Sequence, residues 1–168
     1  MTATINIVFD DQAVVDGLAR LEGLGGSAQM LMTVLGSALV DTTRTRFTTN
    51  IGPDGQKWQP LNPAYDAFRR PGPMLVQSSA LRGSLTFLSS AHDVQIGSPM
   101  IYARVQQFGA TIRPRNARAL VFRMGAGGTL VMARAVTIPA RPYLGISFDD
   151  ERMIFAETEE YIGRLWRG

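Results

Sequence analysis

Between Ile51 and Tyr65 the chain reads IGPDGQKWQPLNPAY, with three prolines and two glycines in fifteen residues. Proline fixes φ and lacks an N–H, so neither a helix nor a central strand can cross this stretch. It separates a segment of helical period from a later segment of strand period. On the N-terminal side, Leu31, Val34, Leu35, Ala38 and Leu39 fall on one face of a helix that Ser27 can cap and that runs through Arg44 to about Phe47. On the C-terminal side the period drops to two. Leu120, Phe122 and Met124 alternate with Val121 and Arg123, Gly125–Gly128 turn the chain, and Leu130, Met132 and Arg134 alternate with Val131, Ala133 and Ala135. Leu120–Arg123 and Leu130–Val136 thus read as a hairpin, with Arg134 returning beside Arg123. The stretch IRPRNAR before it is a basic, proline-interrupted arm.

Shorter signals fill in the rest. Ala3, Ile5, Ile7 and Phe9 alternate as a half-buried strand, and Asp10 or Asp11 can cap a short helix carrying Val14, Val15, Leu18 and Leu21. Trp58, Leu61 and Tyr65 pin the proline-rich loop to the body, or else present a contact surface. Residues 75–84 form a helical turn with Leu75 and Leu81 inward. Phe87–Leu88 and Val94–Ile96 pair as a hairpin through Ser89–His92. Tyr102 to Phe108 form a short helix closed by Gly109, with Tyr102 and Phe108 expected in the core. Ser147, Asp149 and Asp150 cap a last helix whose apolar positions are Ile154, Tyr161, Ile162 and Leu165. There is no internal repeat and no long linker, and 168 residues suit one domain, since domains run to roughly 100–200 residues. The expected architecture is a single α+β domain over residues 1–168: a mostly antiparallel sheet, helices packed on one face, and a protruding β-hairpin within a basic segment at 110–137.

Composition narrows the chemistry. The chain has no cysteine, so disulfides, thiolate nucleophiles and cysteine-based zinc sites are excluded. Its one histidine, His92, lies in a turn without a neighbouring nucleophile motif. GAGG at 125–128 lacks the spacing and the Lys-Ser/Thr of a phosphate loop and sits between strands, so it is a turn. Consecutive acids at 149–151 do not converge on a cation, and the helix dipole accounts for them. No catalytic, metal or cofactor site is expected. The most apolar run, Met30–Val40, is shorter than the about 20 residues a spanning helix needs, and the N-terminus lacks a basic region before its apolar residues. A soluble protein or a part of a soluble assembly is expected, with no membrane contact.

Charge is unevenly placed. Residues 1–43 carry a net −4, residues 44–141 a net +10 and residues 142–168 a net −3, which sum to the overall +3. A basic middle between acidic ends suits an anionic partner or head-to-tail contact between copies, against the plainer alternative of a solvated surface. Arg113, Arg115, Arg118 and Arg123 lie within eleven residues and can meet phosphates. Phe122 is the only aromatic among them and is expected to face the core, so stacking-based or sequence-specific reading is not expected.

Five blocks taken together resemble the phage virion morphogenesis or tail completion proteins of Mu-like and P2-like tailed bacteriophages. They are Arg46-Phe47, PDGQKWQPL at 53–61, the Leu-x-x-Ser-x-x-Leu-Arg-x-Ser-Leu stretch at 75–85, VQIGSPMIYARVQQFG at 94–109 and IPARPYLGIS at 138–147. One departure is Gln106, where that family often has histidine before Gln-Phe-Gly. The resemblance implies a non-enzymatic virion component of the tail or neck, assembled in the host cytoplasm. It would close the tail tube or mount the tail on the head connector as a ring, six copies if tail symmetry applies. On that reading Trp58, Arg141 and Tyr143 are expected at intersubunit or partner contacts, although Arg141 can equally cap carbonyls inside its own subunit. Arg113, Arg115, Arg118 and Arg123 are expected to face the lumen and genomic DNA. The alternative is a basic, non-sequence-specific DNA-binding module acting in packaging or assembly.

Overall fold

The computed structural model describes residues 3–8, 28–67, 69, 71–123 and 128–167. The short helix expected after Asp10, the Ser27 cap and residues 124–127 of the hairpin turn lie outside them. In chain order the elements are β1 (Ala3–Val8), α1 (Ala28–Thr49), α2 (Pro63–Asp66), α3 (Ala80–Gly83), β2 (Thr86–Ser89), β3 (Asp93–Ser98), α4 (Ala103–Phe108), β4 (Ala110–Ile112), β5 (Leu120–Arg123), β6 (Leu130–Ala133), β7 (Val136–Ile138) and α5 (Phe148–Arg167). The fold is α+β, and every strand pairing among the described residues is antiparallel.

β1, β3 and β2 form a three-stranded sheet in that order, with Ile5 and Phe87 both opposite Ile96. α1 lies across β2 and β3, and α5 packs on α1. The buried stripe of α1 is Leu31, Met32, Leu35, Gly36, Leu39, Val40, Thr43, Arg46 and Phe47. This corrects the expected face: Val34 points to solvent and Ala38 is half-buried. The cause is Gly36, on which the Phe87 ring rests so closely that a Cβ would stand 2.4 Å from a ring carbon. The helix turns its smallest residue to the sheet, and Val34 rotates out. Each fully buried leucine on the stripe contributes roughly 1.5–3 kcal/mol.

α1 stops at Asn50, whose φ of 56° is the left-handed conformation asparagine tolerates, and whose N–H reaches Arg46 O at 2.8 Å. Asn50 then anchors the proline-rich loop. Its carbonyl accepts from Trp58 N at 2.9 Å and its side-chain Oδ1 from Met74 N at 2.9 Å. Pro53-Asp54-Gly55 forms the expected turn, with Asp54 Oδ1 accepting from Gln56 N at 3.1 Å and Gly55 at φ 75°.

The second half departs from expectation in two respects. The return strand is broken: β6 pairs with β5, while β7 leaves to pair with β4, a pairing that the single hairpin of the sequence does not predict. In the β5–β6 register Arg123 faces Leu130, so Arg134 does not return beside Arg123. Tyr102 and Phe108 are also corrected, being 38% and 64% exposed. In a helix of six residues only one narrow face can be buried, and Ala103 and Gln107 occupy it.

Candidate functional site

Four of the five blocks meet at residues 141–147, a segment without regular structure that passes through the interior. Buried irregular backbone must find hydrogen-bond partners outside itself, and here side chains from distant elements supply them. Gln107 on α4 is the main one. Its Oε1 accepts from the N–H of Tyr143 at 3.0 Å and of Leu144 at 2.9 Å, and its Nε2 donates to Leu144 O at 2.9 Å. Trp58 Nε1 donates to Pro142 O at 2.7 Å. Arg46, from the last turn of α1, donates to Tyr143 O and Gly145 O, each at 2.8 Å, and pairs with the Asp150 carboxylate.

Asp150 closes the arrangement. It also accepts from the backbone N–H and hydroxyl of Ser147, at 2.8 and 2.6 Å, while Ser147 Oγ accepts from Asp150 N at 3.2 Å. This reciprocal cap starts α5. Phe47 packs between Trp58 and Tyr143, ring centroids 5.5 and 5.2 Å away. Gly145 has φ 151°, and a Cβ there would stand 2.6 Å from Pro53 Cγ, so only glycine lets the segment pass the loop. We call this arrangement the clasp.

Burial sets its electrostatics. Desolvation lowers the pKa of Arg46, with Asp150 acting in the opposite direction, and desolvation also lowers that of Arg141. Burial pushes the Tyr143 phenol from 10.0 up to about 12, with Tyr102 adding to the rise. The folded chain therefore keeps a proton that the unfolded chain releases near pH 10. This contribution is fully present below pH 10 and disappears as pH rises through 12. An expected consequence is that the unfolding free energy from urea titration falls by an amount on the order of 2 kcal/mol between pH 9.5 and 12, and that Tyr143→Phe flattens this alkaline limb.

These positions revise the expected contact residues. Trp58, Arg141 and Tyr143 are 5%, 3% and 0% exposed, so in the folded subunit none offers side-chain surface to a partner. Arg141 Nε and Nη2 donate to Gln59 O at 3.0 Å and Pro60 O at 3.1 Å, the carbonyl-capping alternative. Tyr143 OH donates to Ala103 O at 3.3 Å. Trp58 and Arg141 thus tie the proline-rich loop to the 141–147 segment, and Tyr143 ties that segment to α4.

Arg113, Arg115, Arg118 and Arg123 are all exposed. Arg123 shares the outer face of the β5–β6 hairpin with Val121, Leu130 and Met132, which are 56%, 57% and 69% exposed. The inner face, with Phe122 and Val131, closes a groove of about 940 Å³ together with Tyr65, Leu75, Tyr102 and Gln106. The sequence reading missed Arg46, Gln107 and Asp150 as a set. Ser147-x-x-Asp150 was visible as a cap, but nothing local marks Asp150 as the partner of a residue 104 positions away.

The α+β body carries an exposed arginine-bearing hairpin, and among the described residues no three metal-ligating side chains are grouped. The chain matches the phage virion morphogenesis family over residues 9–163 and belongs to it. It is therefore a structural or assembly protein of a bacteriophage. It is 28% identical over 174 residues to the protein named "Putative capsid assembly protein G" of Escherichia phage Mu, spanning 99% of each chain. No solved structure matches it. Among the described residues no helix is long and apolar enough to cross a membrane.

Proposed function

We propose that this chain completes the phage tail and joins it to the head. On this reading identical subunits form a ring, six where tail symmetry sets the number, between the tail tube and the head connector. The ring keeps a channel open for DNA, and Arg113, Arg115, Arg118 and Arg123 face the lumen. The chain acts in the host cytoplasm during assembly and stays in the neck of the virion. The mechanism is geometric, with no substrate turned over. The observation that carries this reading is the separation of roles in one subunit. The clasp locks the body, while the hairpin and the outer side of α5 leave apolar and charged side chains in solvent.

Deleting the gene tests it. DNA-filled heads and free tails should accumulate unjoined, and supplying the protein should restore infectious particles. Normal joining without the protein would overturn the proposal.

The four exposed arginines favour one second reading, a DNA-binding module that contacts only the phosphate backbone. It predicts that replacing Arg113, Arg115 and Arg118 with glutamine lowers the slope of log affinity against log salt by about 2–3, since each lost phosphate contact removes about 0.9. Fluorescence anisotropy with duplex DNA measures this. No binding by the unaltered chain at low salt removes the reading.

A further inference from the structure

We infer that the outer face of the β5–β6 hairpin of one copy docks against the outer stripe of α5 of the next. The inference rests on the ring reading and names the contact that would build it.

Among the described residues, the hairpin and α5 are two of the surfaces that leave large apolar side chains in water. On the hairpin, Val121, Leu130 and Met132 project on one side with Arg123, and Arg134 is exposed just beyond β6. On α5, Phe148 and Phe155 are 72% and 66% exposed. Seven residues bring a helix through almost two full turns, so both rings lie on one stripe, with Glu151, Arg152 and Glu159 also projecting there. Exposed apolar clusters of this kind mark contact surfaces, and aromatic and methionine side chains are enriched in them.

Charge selects the occupant. The hairpin patch is apolar with a cationic rim, continued by Arg113, Arg115 and Arg118 on the arm before it. Most of the charge on the α5 side is anionic. Asp149, Glu151 and Glu159 are exposed near the rings, Glu160 is paired with Arg164 within the helix, and Arg152 is the base on the stripe. Hairpin against hairpin, or helix against helix, would set like charges together, which is unfavourable. Hairpin against helix sets apolar against apolar and cation against anion. Because the two patches differ, the contact is heterologous, the kind that propagates around a ring. A second copy of this chain supplies the matching surface without any further partner.

The absence of cysteine makes the test clean. Met132→Cys and Phe155→Cys chains, each carrying one thiol at an exposed position, are mixed in oxidised glutathione. Covalent heterodimer is expected at about tenfold the yield of either homodimer, as like-charged faces avoid one another. In parallel, Arg123→Glu/Arg134→Glu and Glu151→Arg/Glu159→Arg chains should each lose self-association by native mass spectrometry. Mixing the two should restore it, because every hairpin then meets a helix of opposite sign. Homodimers of either single-cysteine chain equal to the heterodimer would overturn the inference. If the unaltered chain assembles but neither cross-linking nor charge reversal follows the expected pattern, this contact is wrong and the ring stands. If the unaltered chain stays monomeric with no cross-link formed, both fall.

Discussion

Replacing Arg46 with methionine is expected to cost the fold about 3–5 kcal/mol, the usual result of removing one member of a buried ion pair. The guanidinium is held at the end of α1 among the carbonyls of Tyr143 and Gly145 and the carboxylate of Asp150, which is 1% exposed. Without it that carboxylate is left buried with only the Ser147 hydroxyl and N–H, and two carbonyls lose their donor. The substitution should lower the urea midpoint without much change in slope. Arg46→Met combined with Asp150→Asn should be less destabilised than the two single losses added together, because no unpaired charge remains. A double-mutant cycle measures the difference. If Arg46→Met changes stability by less than 1 kcal/mol, the ion pair is not what joins α1 to α5.

Gln107→Leu should be nearly as damaging, by about 3–5 kcal/mol, for a different reason. Leucine fills much of the space but has no polar atom. The N–H groups of Tyr143 and Leu144 and the Leu144 carbonyl would then be buried without partners, at about 1–3 kcal/mol for each unsatisfied group. Gln107→Glu separates the two functions of the amide. It keeps an acceptor for the two N–H groups, loses the donor to Leu144, and buries a charge, so its stability should improve as pH falls and the carboxyl is protonated. Thermal unfolding at pH 5 and pH 8 reads this out. A Gln107→Leu chain with an unchanged melting temperature would show that Arg46, Trp58, Arg141 and the aromatic cluster hold the 141–147 segment without the Gln107 amide.

The two periods in the sequence predict the fold class, and punctuation by glycine, proline and asparagine places the turns. Those are local signals. The α1 face was misjudged because a glycine counts as neutral in a periodicity argument, whereas in the structure it is where Phe87 makes its closest approach. Tyr102 and Phe108 were assigned to the core by hydrophobicity, but a helix of six residues has no room to bury them both. The β4–β7 pairing is not legible locally, because the three residues Ala110–Ile112 do not name their partner until the fold brings β7 beside them.

The site divides in the same way. The arginines of the 113–123 segment could be read from the sequence as a group because they are neighbours in the chain, and they are exposed as a group. The clasp could not, since Arg46, Trp58, Gln107 and Asp150 are brought together only by the folded body. The blocks that resemble the morphogenesis family supply Arg46, Trp58, Gln107, Arg141 and Tyr143. Their task is to hold the subunit's own backbone, and aromatic or arginine side chains used for that purpose look no different in sequence from those that meet a partner.

The clasp also has a consequence for timing during synthesis. A polypeptide leaves the ribosome from its N-terminus, and α1, the proline-rich loop and α4 emerge before residues 141–150 do. Until that late segment arrives, the Arg46 guanidinium, the Trp58 indole and the Gln107 amide lack their eventual partners, so a truncated nascent chain stays open and loosely packed. Only chains translated past Asp150 can close. Incomplete translation products thus lack the contacts that join α1, the loop and α4.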